Sequence, residues 1–135
     1  MDIRKKLKEV LDAFPDFKYH PDFIDDLSDI LDNSGKIDAF AGKFFTALVN
    51  LSNYKETTHK VLYTNFEQLK QVDNMYSMHV KVKNCNARVL YSFLSDGTVL
   101  LHCFYERGGK KNTDYTKALK IAEIRRTELT KEVSQ

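Results

Sequence analysis

Apolar residues in the first half of the chain recur every three or four positions, and from residue 75 onward they recur every two. Ile3, Leu7, Val10 and Leu11 have helical spacing, and Phe14-Pro15 ends that run because proline cannot donate to a helix. A second stripe, Phe23, Leu27, Ile30 and Leu31, starts near Pro21, where proline suits a first turn. There Asp22, Asp25 and Asp26 face the positive end of the helix dipole, and Asn33-Ser34-Gly35 stops the helix. A third stripe carries Phe40, Phe44, Leu48 and Leu51, with Phe45 beside them. Residues 50–58 are polar and read as a loop. Residues 59–72 have no clear period, and Leu62, Phe66 and Leu69 are expected to cap the core.

Tyr76, Met78, Val80 and Val82 then alternate with Ser77, His79, Lys81 and Lys83, the pattern of a half-buried strand. Residues 84–86 read as a turn, 87–94 as a second strand, 95–97 as a turn and 98–106 as a third strand. Gly108-Gly109 breaks the chain, and Asn112 or Thr113 can cap a last helix that presents Tyr115, Ala118, Leu119, Ala122 and Leu129 on one side. The fold class is therefore α+β: N-terminal helices, a three-stranded antiparallel β-meander and a C-terminal helix, with the helices on one sheet face. Residues 1–135 read as one domain.

Strand alternation also assigns side chains to faces. Asp96-Gly97 favours a two-residue turn, which pairs Ser95 with Thr98, Tyr91 with His102 and Arg88 with Tyr105. Val89, Tyr91, Phe93, Leu100 and Phe104 are then expected to line the core, with Arg88, Ser92, Cys103, Tyr105 and Arg107 opposite. In the first hairpin, a two- or four-residue turn places Arg88 with His79, Lys81 and Lys83; a three-residue turn would set Val89 and Tyr91 among lysines and is disfavoured. The resulting surface gathers His79, Lys81, Lys83, Arg88, Tyr105 and Arg107, with Lys110 and Lys111 at its rim. A polar sheet face normally mixes acids with bases. Here Glu106 is the one acidic residue of 75–107 outside the turn residue Asp96.

Charge sharpens this. Net charge is only +2, yet residues 1–70 carry 10 Lys/Arg against 12 Asp/Glu and residues 71–135 carry 11 against 7. The C-terminal half is where a polyanion would bind. The longest apolar run, residues 99–104, is too short to span a bilayer, and no apolar segment follows the charged residues 1–8 as in a secretory signal. Two cysteines, Cys85 and Cys103, make no disulfide framework. A soluble cytoplasmic protein is expected, with no membrane association.

A cationic surface with a histidine suits RNA cleavage, in which the 2′-OH attacks the adjacent phosphate without needing a metal. The reaction needs a base, an acid for the 5′ leaving oxygen, and cations for the phosphate. His79 is the proton carrier, since imidazole titrates near neutrality. Tyr105 or Tyr115 can hold or donate a proton. Arg88 and Arg107 can grip phosphate bidentately, and Lys81, Lys83, Lys110 and Lys111 add point charges along the RNA. The catalytic candidates are thus His79, Arg88, Tyr105 and Arg107, and Tyr115 joins the lysines as a binding candidate.

Other features point elsewhere. His102 is expected to be a hydrogen-bonded core histidine. His20 precedes Pro21 at a helix start, and His59 sits at a loop end; neither has a ligand-spaced partner, so no metal or small-molecule cofactor is expected. Neither cysteine has the partner a nucleophile needs. Gly108-Gly109-Lys110-Lys111 lacks phosphate-loop spacing.

Three stretches carry a family resemblance. Residues 75–80 (MYSMHV) resemble the L-Y-E-L-R strand of the RelE/ParE superfamily of toxins, above all its HigB-like, phage-derived branch. Residues 87–93 (ARVLYSF) are similar to its Y-R-V-L-Y strand, and residues 100–107 (LLHCFYER) with Lys110-Lys111 and the helix from Ala118 to its L-L-H-G-F-x-K-K ending. The resemblance spans residue 66 to about residue 129, roughly half the chain, with residues 1–14 as an extra N-terminal helix. It implies the toxin of a type II toxin–antitoxin pair that cleaves mRNA on the ribosome and inhibits translation, with a cognate antitoxin, the ribosome and mRNA as partners. Arg88 matches the family's arginine in the second strand and Arg107 a cation of the third. His79 stands where the family usually has arginine, and Glu106 interrupts its basic pair. A ParE-like DNA gyrase inhibitor without nuclease chemistry, and a non-catalytic interaction module, are the alternatives.

Overall fold

The computed structural model describes residues 2–32, 35–83, 85–106 and 111–134, with the side chains of 111–114 and 132–134 outside the description. The apolar stripes become helices. In α1 (Ile3–Asp12) Leu7, Val10 and Leu11 are buried, and Asp2 caps the start by accepting from the N–H groups of Arg4 at 3.0 Å and Lys5 at 3.3 Å. Helix α2 (Phe23–Leu31) buries Phe23, Leu27 and Leu31, and α3 (Ile37–Tyr54) buries Phe40, Phe44, Leu48 and Leu51. The loop expected over residues 50–58 is instead mostly helical. With Leu51 anchored in the core, α3 runs on to Tyr54, and a 3₁₀ turn (Lys55–Thr57) leads into α4 (Thr58–Val61). Hydroxyls stabilise that junction: Thr57 donates to the Tyr54 carbonyl at 2.7 Å and Thr58 to that of Lys55 at 2.6 Å.

The sheet has five strands rather than three. Strands β1 (Phe17–Tyr19), β2 (Phe66–Gln68), β3 (Tyr76–Val82), β4 (Cys85–Leu94) and β5 (Gly97–Tyr105) lie in the order β1-β5-β4-β3-β2. The expected meander is its centre. Each added edge strand has three residues, too few for an alternating pattern to be read. Strand β1 runs parallel to β5, so the α+β sheet is mixed.

Helices cover both faces, which corrects the one-sided arrangement. Helices α1, α2 and α3 pack with Met78, Val80, Val89, Tyr91 and Leu100. Helix α5 (Lys111–Ser134) lays Tyr115, Ala118, Leu119 and Ala122 on Leu69, Met75, Leu90, Val99 and Leu101 on the other side. The runs Val89-Leu90-Tyr91 and Val99-Leu100-Leu101 are apolar on both sides, so both must be buried.

Register decides which side chains meet. The first hairpin closes between Val82 and Cys85, which sets His79 directly opposite Arg88 and Lys81 opposite Asn86. His79, Lys81 and Arg88 share one face as expected, whereas Lys83 falls in the turn. The second hairpin differs. Its two-residue turn is Ser95-Asp96, since Leu94 pairs with Gly97, and a bulge near Leu90 and Tyr91 leaves Leu101 as the extra residue of β5. Arg88 therefore pairs with Phe104 and Ala87 with Tyr105. Cys103 enters the core with α1–α3, whereas Phe104 turns toward α5.

Gly97 explains the displaced turn. Its φ is +136°, and a Cβ there would lie 2.5 Å from the carbonyl oxygen of Asp16. The glycine is used for this close approach, beside the Lys18–Asp96 ion pair that ties the turn to β1. Gly97→Ala is expected to lower stability by about 1–3 kcal/mol. An unchanged thermal midpoint would contradict this role.

Tyr91 presents the opposite case. It is fully buried, and its hydroxyl has no hydrogen-bond partner among the described residues. Burial also pushes its pKa above the ordinary phenol value. Removing a buried unpaired hydroxyl relieves a desolvation penalty, so Tyr91→Phe is expected to raise stability by about 1 kcal/mol or more. A lower thermal midpoint would show that the hydroxyl is satisfied in solution.

Candidate functional site

The polar cluster lies on the α5 side of the sheet, built by three adjacent strands. Alternation in β3 points Ser77, His79 and Lys81 that way, and in β4 Asn86 and Arg88. Beyond β5, the backbone N–H of Glu106 donates to the Asn86 carbonyl at 2.9 Å, and the Asn86 side-chain amide donates to the Glu106 carbonyl at 3.1 Å. These two bonds hold Glu106 in line with the strand. Its carboxylate is then ion-paired with the Nε of Arg88.

His79 is oriented by Asn86. The asparagine Oδ1 can only accept, so the imidazole Nε2 carries the proton it donates there, and Nδ1 keeps its lone pair. Burial lowers the His79 pKa; the Asn86 bond and Glu106 oppose this, while Arg88 and Lys81 add to it. The imidazole is consequently neutral at pH 7. Arg88 gives its Nε to Glu106, and its two terminal nitrogens have no partner among the described residues. Both members of this pair are largely covered, with side-chain exposures of 13% and 12%.

Tyr115 reaches the same face from α5. Its hydroxyl donates to Glu67 at 3.1 Å and lies 3.3 Å from the Ser77 hydroxyl. Burial pushes its pKa up to about 12, so the proton is firmly held. Around the open edge of β3, a cavity of about 590 Å³ is lined by His79, Lys81 and Asn65, with Lys43, Thr46 and Asn50 of α3. Its volume is in the range of small-ligand sites.

Against the expected set, the structure brings together His79, Arg88, Lys81 and Tyr115. Tyr105 is excluded. Its pairing with Ala87 places it on the face of α1–α3, because the bulge moves the end of β5 by one residue. Lys83 is exposed in the hairpin turn at the end of β3. Arg107 and Lys110 lie outside the described residues, as does the side chain of Lys111. The structure adds Glu106, Asn86, Ser77 and Glu67 to this face. Glu106 had a visible signal, being the lone acid on an otherwise basic strand set.

His102 forms a separate cluster. It is buried, as expected of a hydrogen-bonded histidine, although it pairs with Leu90 and not Tyr91 and so turns toward α5. Its Nδ1 donates to Asp26 of α2 at 2.8 Å, and Arg125 of α5 donates to the same carboxylate and, at 3.0 Å, to the Leu101 carbonyl. Nearby, His20 faces Glu128 at 3.5 Å. These contacts join α2 to α5 around the sheet edge. Arg126 donates to the Asp73 and Asn74 carbonyls and to the Ser92 hydroxyl, at 2.8–3.0 Å, fixing α5 on the turn before β3.

Both cysteines are buried and unpaired; burial raises the Cys85 pKa and, with Asp26 nearby, that of Cys103. Among the described residues no group of three or more His, Cys, Asp or Glu is arranged to hold a metal ion, and no helix is long and apolar enough to cross a membrane. No family model matches the chain, and neither curated proteins nor solved structures provide a match.

Proposed function

We propose that this protein is an RNA-cleaving toxin of the RelE/HigB kind, acting on ribosome-bound mRNA and neutralised by a cognate antitoxin. The observation that carries the reading is the direct pairing of His79 with Arg88 on neighbouring strands, with Lys81 beside them. Such a surface offers one proton carrier and two cations to a single phosphate, whose charge rises as the 2′-oxygen attacks. The excess of basic residues in the C-terminal half supplies attraction along the RNA.

The Arg88–Glu106 pair favours a second reading. A cation already matched by a covered carboxylate suits a non-catalytic interaction module that uses this face to bind a partner. Inducing the protein alone in bacteria and mapping mRNA 5′ ends separates the readings. New ends inside translated frames, with growth arrest, are expected for the nuclease. Arrest with gyrase-linked DNA breaks and intact transcripts would replace it with a gyrase inhibitor, and neither effect would leave the interaction module.

A further inference from the structure

We propose that the cavity between α3 and the open edge of β3 binds one nucleotide, its base on the free backbone edge of the strand and its phosphate on Lys43 and Lys81. The proposal does not depend on the RNA-cleavage reading. It starts where β2 stops. Strand β2 pairs with β3 only as far as Met78, and the last bond across runs from the His79 N–H to the Asn65 carbonyl at 2.8 Å. Asn65 turns its own N–H to the Leu62 carbonyl, at 3.3 Å. Backbone groups along an antiparallel strand point alternately to either neighbour, so the His79 carbonyl and the Lys81 N–H and carbonyl face this edge. None of the three is hydrogen-bonded among the described residues.

Helix α3 walls the other side of the cavity, whose volume is about 590 Å³. Gly42 keeps the space open. A glycine inside a helix weakens it relative to alanine, and no neighbour requires one here: a Cβ at Gly42 would meet nothing within 4 Å. Thr46, one turn on, donates to the Gly42 carbonyl at 3.1 Å and keeps its lone pairs to accept. Phe66 and Val80 offer apolar contact for a ring. Lys43 and Lys81 also line the space, and neither is ion-paired among the described residues. Against these two lysines the lining holds one carboxylate, Asp38, so it is net cationic.

These groups fit a nucleotide better than an added peptide strand. Strand addition draws its affinity from a run of main-chain bonds. Here only residues 79 and 81 are free before Lys83 enters the hairpin turn. A nucleobase needs one donor and one acceptor side by side, and every base presents such a pair on its Watson–Crick edge. The Lys81 N–H and the His79 carbonyl supply the complement. The two lysines suit a phosphate, and Asp38 suits ribose hydroxyls, the use acidic residues have in dinucleotide sites.

The test is calorimetric titration of the purified chain with AMP, adenosine and ribose 5-phosphate. AMP is expected to bind at least about tenfold more tightly than either fragment, since each lacks one set of hydrogen bonds. Gly42→Leu fills the cavity from the helix side and should abolish AMP binding. Leucine is the better helix former, so the thermal midpoint of this variant should be unchanged or higher. Lys43→Ala should weaken AMP and leave adenosine unchanged. Equal binding of AMP by wild type and Gly42→Leu would overturn the proposal, as would ribose 5-phosphate binding as tightly as AMP, or no heat with AMP at millimolar concentration. Binding of a short acidic peptide in place of AMP, blocked by Gly42→Leu, would give the edge to strand addition instead. Displacement of AMP by a short single-stranded RNA would make a nucleotide of an RNA chain the occupant, and its absence a free nucleotide; either result supports the site.

Discussion

Replacing Asp26 with alanine is expected to destabilise the protein by about 3–5 kcal/mol, because it leaves Arg125 covered and without its counter-charge. The Asp26 and Arg125 side chains are 17% and 13% exposed, and the same carboxylate accepts from His102. One substitution thus removes the shared acceptor of two donors and the link between α2 and α5. The pH dependence follows from the direction of the shift. Burial would raise the carboxyl pKa, but the hydrogen bonds and charges of His102 and Arg125 together outweigh it, and the folded value falls below the ordinary 3.8. A carboxyl depressed by folding contributes its full stability above the unfolded value and loses it as the pH falls through the folded one. Chemical denaturation of the wild type and of Asp26→Asn between pH 3 and 7 would show this. Only the wild type should lose this contribution on the acid side, and parallel curves would contradict the assignment.

On the proposed RNA-cleavage reading, Arg88→Ala is expected to lower cleavage by about 10²–10³-fold, the usual loss when one donor to a developing oxyanion is removed. Stability should fall as well, since Glu106 would be left nearly covered without its arginine. The double variant Arg88→Ala/Glu106→Ala separates the two effects. Removing both charges is expected to restore most of the stability while leaving the protein inactive. Thermal unfolding and the mapped cleavage rate, measured on the three proteins, test this together. Full activity in the stable double variant would show that the phosphate is held elsewhere.

The candidate site was legible where a single rule governed it. The alternation of residues 76–83 and the penalty for placing Val89 and Tyr91 among lysines were enough to set Arg88 with His79. Tyr105 was misplaced because a bulge leaves no mark on local composition. Leu101 is one more apolar residue in an apolar run, and its doubling against Leu90 shows only when β4 and β5 are laid side by side. The partnership of Asn86 and Glu106 was also hidden. It joins two strand ends 20 residues apart in sequence, and neither residue has a spacing that announces it.

By itself the sequence determined the α+β class, the buried stripes of α1–α3, the three long strands and the face shared by His79, Arg88 and Lys81. These follow from periodicity, which acts over a few neighbouring residues. Tertiary structure alone decided the two edge strands, the cover of α5 on the second sheet face, the turn at Ser95-Asp96 and the pairing of Glu106 with Arg88. Each depends on distant segments meeting: Asp16 against Gly97, α5 against a doubly apolar sheet, and the end of β5 against β4. Such contacts come from the packing of the whole chain, and no local pattern encodes them.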